Sequence, residues 1–380
     1  MGGQARRRDR PRRPVFHRLS LAILHMVNLD PAFPSLPPSR RGNAVDALVT
    51  GATGLVGNNV VRMLLSRGES VRAFIRSRQA SDRALAALPV EVVQGSLGDE
   101  SAVQAAVDGA RIVVHSAAMV HCGWRHRAEM MKANVEGTRV VAAAARRAGA
   151  RLVHVSSVDA IGLHADGTPA DEETLPGGMP ECPYVVTKRE AERVVHDEIA
   201  RGLDAVIVNP VYMLGPWDWK PSSGRMLLEV ASGKGLFAPP GANDFVDVRD
   251  VAGGILAAAE RGRTGRRYIL GGHSMSYLDA WRLFARVAGR MQPLGIAPPP
   301  LVRMAGLAGD LVSLCMKHEL PVNSAATRMS MLPHNFSCRR AQAELGYAFR
   351  PLEATVSDAW EWFIEHGFAR APRGRTVMAR

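Results

Sequence analysis

Tyr184 and Lys188 stand four residues apart in "YVVTK". That spacing puts two side chains on one face of a helix, with β carbons roughly 5–6 Å apart. A free phenol ionises at about pH 10 and exchanges protons poorly at neutrality, while a neighbouring ammonium favours its charged form. The pair therefore reads as a proton donor or acceptor with its own tuner. Upstream, Ser156 and Ser157 close a β-branched run, "RLVHVSS" (151–157). A serine hydroxyl there can hydrogen-bond a substrate oxygen beside the tyrosine. Y-x-x-x-K arises often by chance, so the pair gains meaning only from the elements that carry it.

A second constellation is "LVTGATGLVGNN" (48–59), in which Gly51, Gly54 and Gly57 form G-x-x-G-x-x-G. It lies between a short apolar strand, 47–50, and a helix predicted from about Leu55 to Arg67. Backbone N–H groups and the helix dipole face an anion at such a junction, and glycines let a pyrophosphate approach closely. The second strand, "VRAFIR" (71–76), ends in Arg76, followed by Ser77 and Arg78. An acidic residue at this place would bond the ribose hydroxyls of NAD. Arg76, with its planar donor fork, suits the 2′-phosphate of NADP instead. NADP(H) is the expected cofactor, with NAD(H) as the alternative.

These residues need a scaffold, and the chain supplies a regular one. Runs at 47–50, 71–76, 90–95, 110–118, 151–157 and 204–210 read as strands. Helical stretches at 55–67, 99–109 and 129–149, and one at Tyr184, fall between them. Apolar strands alternating with helices define the α/β class, a doubly wound parallel sheet of the Rossmann kind. After Pro210 the pattern loosens. The expected division is a basic, Pro-rich extension (1–44), a dinucleotide-binding domain (45–210), a substrate-binding lobe (211–369) interleaved with the last sheet elements, and a basic tail (370–380).

The formal charge of +12 would suggest nucleic acid if it lay on the body of the protein. It does not: residues 1–45 hold nine Arg against two acids, and residues 370–380 hold four Arg and none. A near-neutral body with basic tails predicts no nucleic-acid face. The four cysteines form no C-x-x-C pair, and His121 and His126 match no metal-ligand spacing, so no metal is expected. A positive flank and the short apolar run "LSLAILHMV" imitate an export signal, but His25 interrupts the run and no A-x-A site follows. A cytoplasmic protein without an integral membrane segment is expected, with initiation near Met26 as one account of the extension. "LVRMAGLAGDLVSLCM" (301–316) is apolar but contains Arg303 and Asp310.

Taken together, "TGATGLVG" (50–57), "HSAAMV" (115–120), "NVEGT" (134–138), "VSS" (155–157), "YVVTK" (184–188) and "NPVYMLGP" (209–216) resemble an extended short-chain dehydrogenase/reductase of the NAD-dependent epimerase/dehydratase superfamily. The likeness runs from Ala47 to about Gly367. It is nearest to dihydroflavonol-reductase-like proteins and bacterial hopanoid-associated sugar epimerase homologues, through 220–234, 246–272 and 340–347. The resemblance implies that Gly51, Thr53, Gly54, Leu55, Val56 and Gly57 hold the pyrophosphate and that Leu97 meets adenine. It places Ser116, Ala117 and Ala118, with Asn134 beneath, along the central ribose, and Val208, Pro210 and Val211 at the nicotinamide. Ser157, Tyr184 and Lys188 would be catalytic, with Lys188 also reaching the nicotinamide ribose. A homodimer through the helices after the fourth and fifth strands is also implied.

Two positions depart from that pattern. Ser96 stands where an Asp often precedes the adenine-contacting Leu. In "NDFVDV", Asn243 replaces the Arg that grips a sugar diphosphate, and Asp247 replaces a common His. Met119, Trp124, Met213, Trp217, Trp219, Phe237 and Phe245 predict an apolar pocket for a flavonoid-, sterol- or terpenoid-like alcohol or ketone, with several of them packing the lobe itself. Three functional classes are therefore carried forward: an NADP(H)-dependent oxidoreductase, an NAD-retaining sugar epimerase or dehydratase, and a non-catalytic NADP-binding regulator.

Overall fold

The computed structural model describes residues 44–370. The basic extension through residue 43 and the tail from 371 lie outside the described residues. The first half of the chain winds β1 (Val45–Thr50), α1 (Leu55–Ser66), β2 (Val71–Ile75), α2 (Arg78–Ala84), β3 (Glu91–Gln94), α3 (Glu100–Val107) and β4 (Ala110–His115). There follow α4 (Arg127–Met130), a π-helical turn (Met131–Glu136), α5 (Gly137–Ala148), β5 (Arg151–Val155), α6 (Pro183–Ala200) and β6 (Ala205–Pro210). The second half holds β7 (Tyr212–Leu214), α7 (Gly224–Ala231), β8 (Phe237–Ala238), β9 (Ala242–Asp247), α8 (Val248–Arg261), β10 (Arg267–Leu270) and β11 (His273–Ser276). It ends with α9 (Tyr277–Val287), β12 (Gly295–Ile296), α10 (Pro299–Leu314), α11 (Ser324–Met329), α12 (Arg339–Leu345) and α13 (Leu352–Glu365).

Seven strands form one parallel sheet in the order β10-β6-β5-β4-β1-β2-β3. The chain leaves β1 towards β2 and β3, then returns to place β4 on the other side of β1. That reversal makes β1/β4 the switch point, where a ligand finds a crevice beyond the carboxyl ends. The central strands are apolar because helices cover both faces; Leu48, Val113, Leu152 and Ile207 all lie in the buried core.

Six sheet strands are expected from the sequence, and the structure adds a seventh, β10, contributed from beyond Pro210. It reads weakly in sequence because Arg267 opens it and glycines close it. Helix α2 was also missed, since its polar residues lack an apolar stripe. The stretch expected as one helix, 129–149, carries a π turn over Met131–Glu136.

A second core gathers Leu214, Leu227, Phe245, Phe284, Trp360 and Phe363 from β7, β9, α7, α9 and α13. A three-stranded sheet, β11-β9-β7, backs it, and β8 pairs with β12. Among the described residues, no helix is long and apolar enough to cross a membrane.

Candidate active site at the carboxyl edge of the sheet

The three glycines answer three different local demands. Gly51 has φ +72°, and a Cβ there would come within 2.7 Å of the Ala117 backbone nitrogen. Gly57 faces back onto the Gly51 carbonyl, which a methyl would strike. Gly54 is exposed, and a Cβ there would meet only the Gly51 carbonyl oxygen at 3.3 Å. Two glycines thus close the turn against β4, and the third keeps its outer surface open. Gly54 caps α1 with extended backbone, without a side-chain cap and without an acid in the first turn. Amide groups at the start of α1 remain for an anion. Asn58 holds the turn from below through Nδ2, donating to the carbonyls of Ala52 (3.2 Å) and Ala84 (2.8 Å).

The adjoining wall is the 115–119 segment after β4. Ser116 donates to the Thr50 carbonyl (2.7 Å), and the Ala117 amide reaches Thr50 Oγ1 (3.3 Å). Asn134, in the π turn, accepts from the Met119 amide (2.7 Å) and donates to the Met119 carbonyl (2.9 Å) and Thr187 Oγ1 (3.2 Å). One buried amide therefore ties the wall to α6, the helix that bears the tyrosine. His115 bridges Thr50 (2.7 Å) and Thr138 (3.0 Å) below the wall. Burial and nearby Lys188 hold its pKa down to about 3, so the ring stays neutral.

Tyr184 and Lys188 lie in the first turns of α6, which Pro183 starts with its fixed φ. Both are buried. Lys188 Nζ donates to the Val155 carbonyl (3.2 Å), and burial lowers its pKa to about 8, with Glu192 and Asp159 opposing the fall. Burial pushes the Tyr184 phenol above its ordinary value, Asp159 pushes it further, and the neighbouring Ser157 hydroxyl opposes both. This differs from the simple sequence expectation of a phenol drawn down by its lysine. Among the protein's own groups, burial and the Asp159 carboxylate set the direction.

The two serines part company here. Ser156 Oγ is buried without a partner, whereas Ser157 Oγ donates to Asp159 Oδ2 (3.1 Å) and accepts from the Asp159 amide (3.2 Å). His334 Nε2 stands 4.0 Å from the other Asp159 oxygen. Asn209 fixes the strand beneath, donating to the Ser157 carbonyl (2.9 Å) and to buried Glu192 (2.6 Å). Sequence reasoning missed Asp159, Glu192, Asn209 and His334. Asp159 had a local signal, two residues after the serine; His334 arrives from a distant loop and had none.

Of the remaining candidates, Val208, Pro210 and Val211 are buried at the end of β6, next to β5 through the Ser156 amide–Val208 carbonyl bond (2.8 Å). Leu97 leans on Gly137 at the start of α5, where a Cβ would meet its side chain at 3.1 Å. Arg76 is exposed just past β2, Thr53 and Val56 are half-buried on the glycine turn, and Leu55 is buried. The proposed aromatic lining divides. Phe245, Trp217 and Trp219 belong to or pack on the second core. Phe237 and Trp124 are exposed, and Met119 and Met213 are half-buried. Asn243 donates to Tyr277 Oη (3.0 Å), and Asp247 caps α8 and binds Arg249, so neither offers a cationic grip. Among the described residues, no His/Cys/Asp/Glu group could hold a metal, and the four cysteines are free.

An open, uncapped helix start at a sheet switch point, beside a buried Ser–Tyr–Lys group, defines a dinucleotide-binding protein of the extended short-chain dehydrogenase/reductase type. The profile of the NAD dependent epimerase/dehydratase family matches residues 47–271, and the chain belongs to that family of NAD-dependent enzymes. It is 38% identical to "Sterol demethylase protein B" of Methylococcus capsulatus over 324 residues, 84% of this chain and 98% of that protein. It is 34% identical to a dihydroflavonol 4-reductase-like protein of Synechocystis sp. over 335 residues, 85% of this chain and 95% of the relative. Among solved structures, a nucleoside-diphosphate-sugar epimerase from Pseudomonas aeruginosa superposes with a TM-score of 0.70 at 26% identity, covering 85% of this chain and 99% of the other.

Proposed function

We propose that the protein is an NADP(H)-dependent oxidoreductase acting on a hydrophobic alcohol or ketone through Ser157, Tyr184 and Lys188. The observation that carries this reading is the burial of Ser157, Tyr184 and Lys188 at the carboxyl end of β5, on and against a helix that Asn134 ties to the wall of the glycine turn. The residues fit a dinucleotide. The α1 amides and Gly54 would hold its pyrophosphate, Leu97 its adenine end, Ser116–Ala118 its middle, and Val208, Pro210 and Val211 its nicotinamide end. When bound, the nicotinamide supplies or accepts a hydride at C4.

The chain's own residues handle the proton. Tyr184 keeps its phenolic proton at neutral pH and delivers it from Oη to a carbonyl oxygen, or takes it back from an alcohol. Such general acid–base action contributes roughly 10²–10⁴ in rate. Lys188 holds positive charge beneath the phenol and would reach the nicotinamide ribose. Ser157 orients the substrate oxygen by turning its O–H away from Asp159.

Arg76 supports NADP over NAD, because it follows β2 directly, exposed, with no carboxylate in the adjoining Ser77–Arg78. Greater thermal stabilisation by NADPH than by NADH is the expected result, and equal or better stabilisation by NADH overturns the preference. The sugar-nucleotide alternative is disfavoured by Asn243 and Asp247, both engaged in packing bonds. A relative named for sterols supports an apolar substrate. Free cysteines and a diffusible cofactor accord with a cytoplasmic setting. Incubation of the protein with NADPH and a panel of lipophilic ketones, followed at the nicotinamide absorbance, and with nucleotide sugars, followed by product analysis, tests the whole reading. Turnover of the ketones supports it; activity confined to nucleotide sugars overturns it.

A further inference from the structure

Helix α10 is built inside out. Its packed stripe consists of Gly306, Gly309 and Ser313, and a Cβ on either glycine would strike the α11 segment. Its large apolar residues point the other way. Leu301, Met304, Leu307, Leu311, Val312 and Leu314 are all exposed, Leu314 to 75%. At 3.6 residues per turn they form one continuous arc directly across the helix from the packed stripe. An ordinary surface helix has the opposite arrangement. Among the described residues, the large apolar side chains left exposed lie on this ridge, on or beside the β8 and β12 strands, on the 120–124 loop, or at Val322 between α10 and α11; Leu175 is the exception.

The exposed charges of the chain segment that carries the arc have one sign. From residue 290 to 322 the exposed charged side chains are Arg290, Arg303 and Lys317. The two acids of this stretch are turned inward. Asp310 accepts from the Ser324 amide (3.0 Å), and Glu319 accepts from His121 (2.7 Å) and from the amides of Trp124 (2.9 Å) and Arg125 (3.0 Å). An apolar arc with a cationic rim matches an anionic bilayer surface, which takes up apolar side chains and attracts Lys and Arg. A second copy of the chain fits worse, because a two-fold interface would set the same positive rim against itself.

We propose that α10, with the β8/β12 tips, docks the enzyme on the surface of an anionic membrane. The helix lies in the interface rather than across it. The Glu319 and Arg125 bonds join the ridge to the loop that follows Met119, so the docked face borders the candidate active site. On the reading of the substrate given above, the ridge would let a lipophilic alcohol or ketone pass from bilayer to site.

The test uses the full-length protein without cofactor or substrate, sedimented with phosphatidylcholine/phosphatidylglycerol vesicles at low and high salt. Docking is thereby read separately from turnover, which the soluble ketone panel reports. Wild type and a Leu175→Glu control should bind. The L307E/L311E variant should partition at least about tenfold less at high salt, where the basic termini are screened, with an unchanged Tm. Wild-type protein remaining in solution, or L307E/L311E binding as wild type does, overturns the proposal. So does a wild-type dimer that L307E/L311E converts to monomer without any vesicle binding, since a second copy would then be the occupant.

Discussion

At the scale of single residues, the candidate site separates proton storage from charge. Tyr184 is held protonated by burial and by the Asp159 carboxylate, and Lys188 stays cationic only while the pH is below about 8. Tyr184→Phe keeps the ring and removes the proton, so turnover should fall by at least about 10²-fold. NADPH-induced thermal stabilisation should survive; activity retained near wild type sinks the proposed mechanism. The lysine carries its own pH signature. Its lowered pKa means that charge is lost as pH rises through about 8, so kcat/KM should decline on the alkaline side from there. In Lys188→Arg any remaining activity should lose that limb, because a guanidinium does not titrate in this range. An alkaline limb identical in the two proteins would assign the titration elsewhere.

At the scale of elements, the glycine turn divides its duties in a way that mutation can separate. Gly51→Ala forces an alanine to φ +72° with its Cβ 2.7 Å from the Ala117 nitrogen. Strain of this kind costs roughly 1–3 kcal/mol before the wall at 115–119 shifts, and Tm should fall by several degrees. Gly54→Ala has ordinary φ and an exposed site, so Tm should hold while cofactor affinity drops, because the methyl occupies the face left open for pyrophosphate. Equal loss of Tm in both variants would show that the two glycines share one structural role.

The sequence made this element readable because a strand, three glycines and a helix are all local. Tyr184–Lys188 was readable for the same reason, as one helix face. The supports were not. The resemblance pointed to Asn134 but not to its clamp on Met119, made from inside a π turn that no periodicity announces, and Thr50, His115 and Thr138 meet only after three separate segments have folded. Strand β10 was hidden as well, being four residues recruited from the far side of the second core.

At the scale of the whole molecule, the two cores are joined by a clasp beside the cofactor turn. Arg62 of α1 lies 3.3 Å over the Trp217 ring, and its Nε donates to Asn58 Oδ1 (2.8 Å), the same Asn58 that holds the glycine turn. Asn59 donates to the Pro216 carbonyl (3.1 Å), fixing the peptide that leads into Trp217. Trp217 itself sits at φ +70°, a conformation rare for a bulky side chain. Burial lowers the Arg62 pKa to about 10, and among the described residues no carboxylate pairs with it. The indole face and Asn58 Oδ1 therefore compensate the guanidinium for lost water. Trp217→Ala removes that face from a half-buried cation, so about 1–3 kcal/mol of stability should be lost. Because the load passes through Asn58 to the turn, NADPH affinity should weaken as well, though Trp217 is not placed at the cofactor. Arg62→Met, which fills the space without a charge, should recover Tm in the Trp217→Ala background. Unchanged Tm and unchanged NADPH binding in Trp217→Ala would show that the clasp carries no load between the cores.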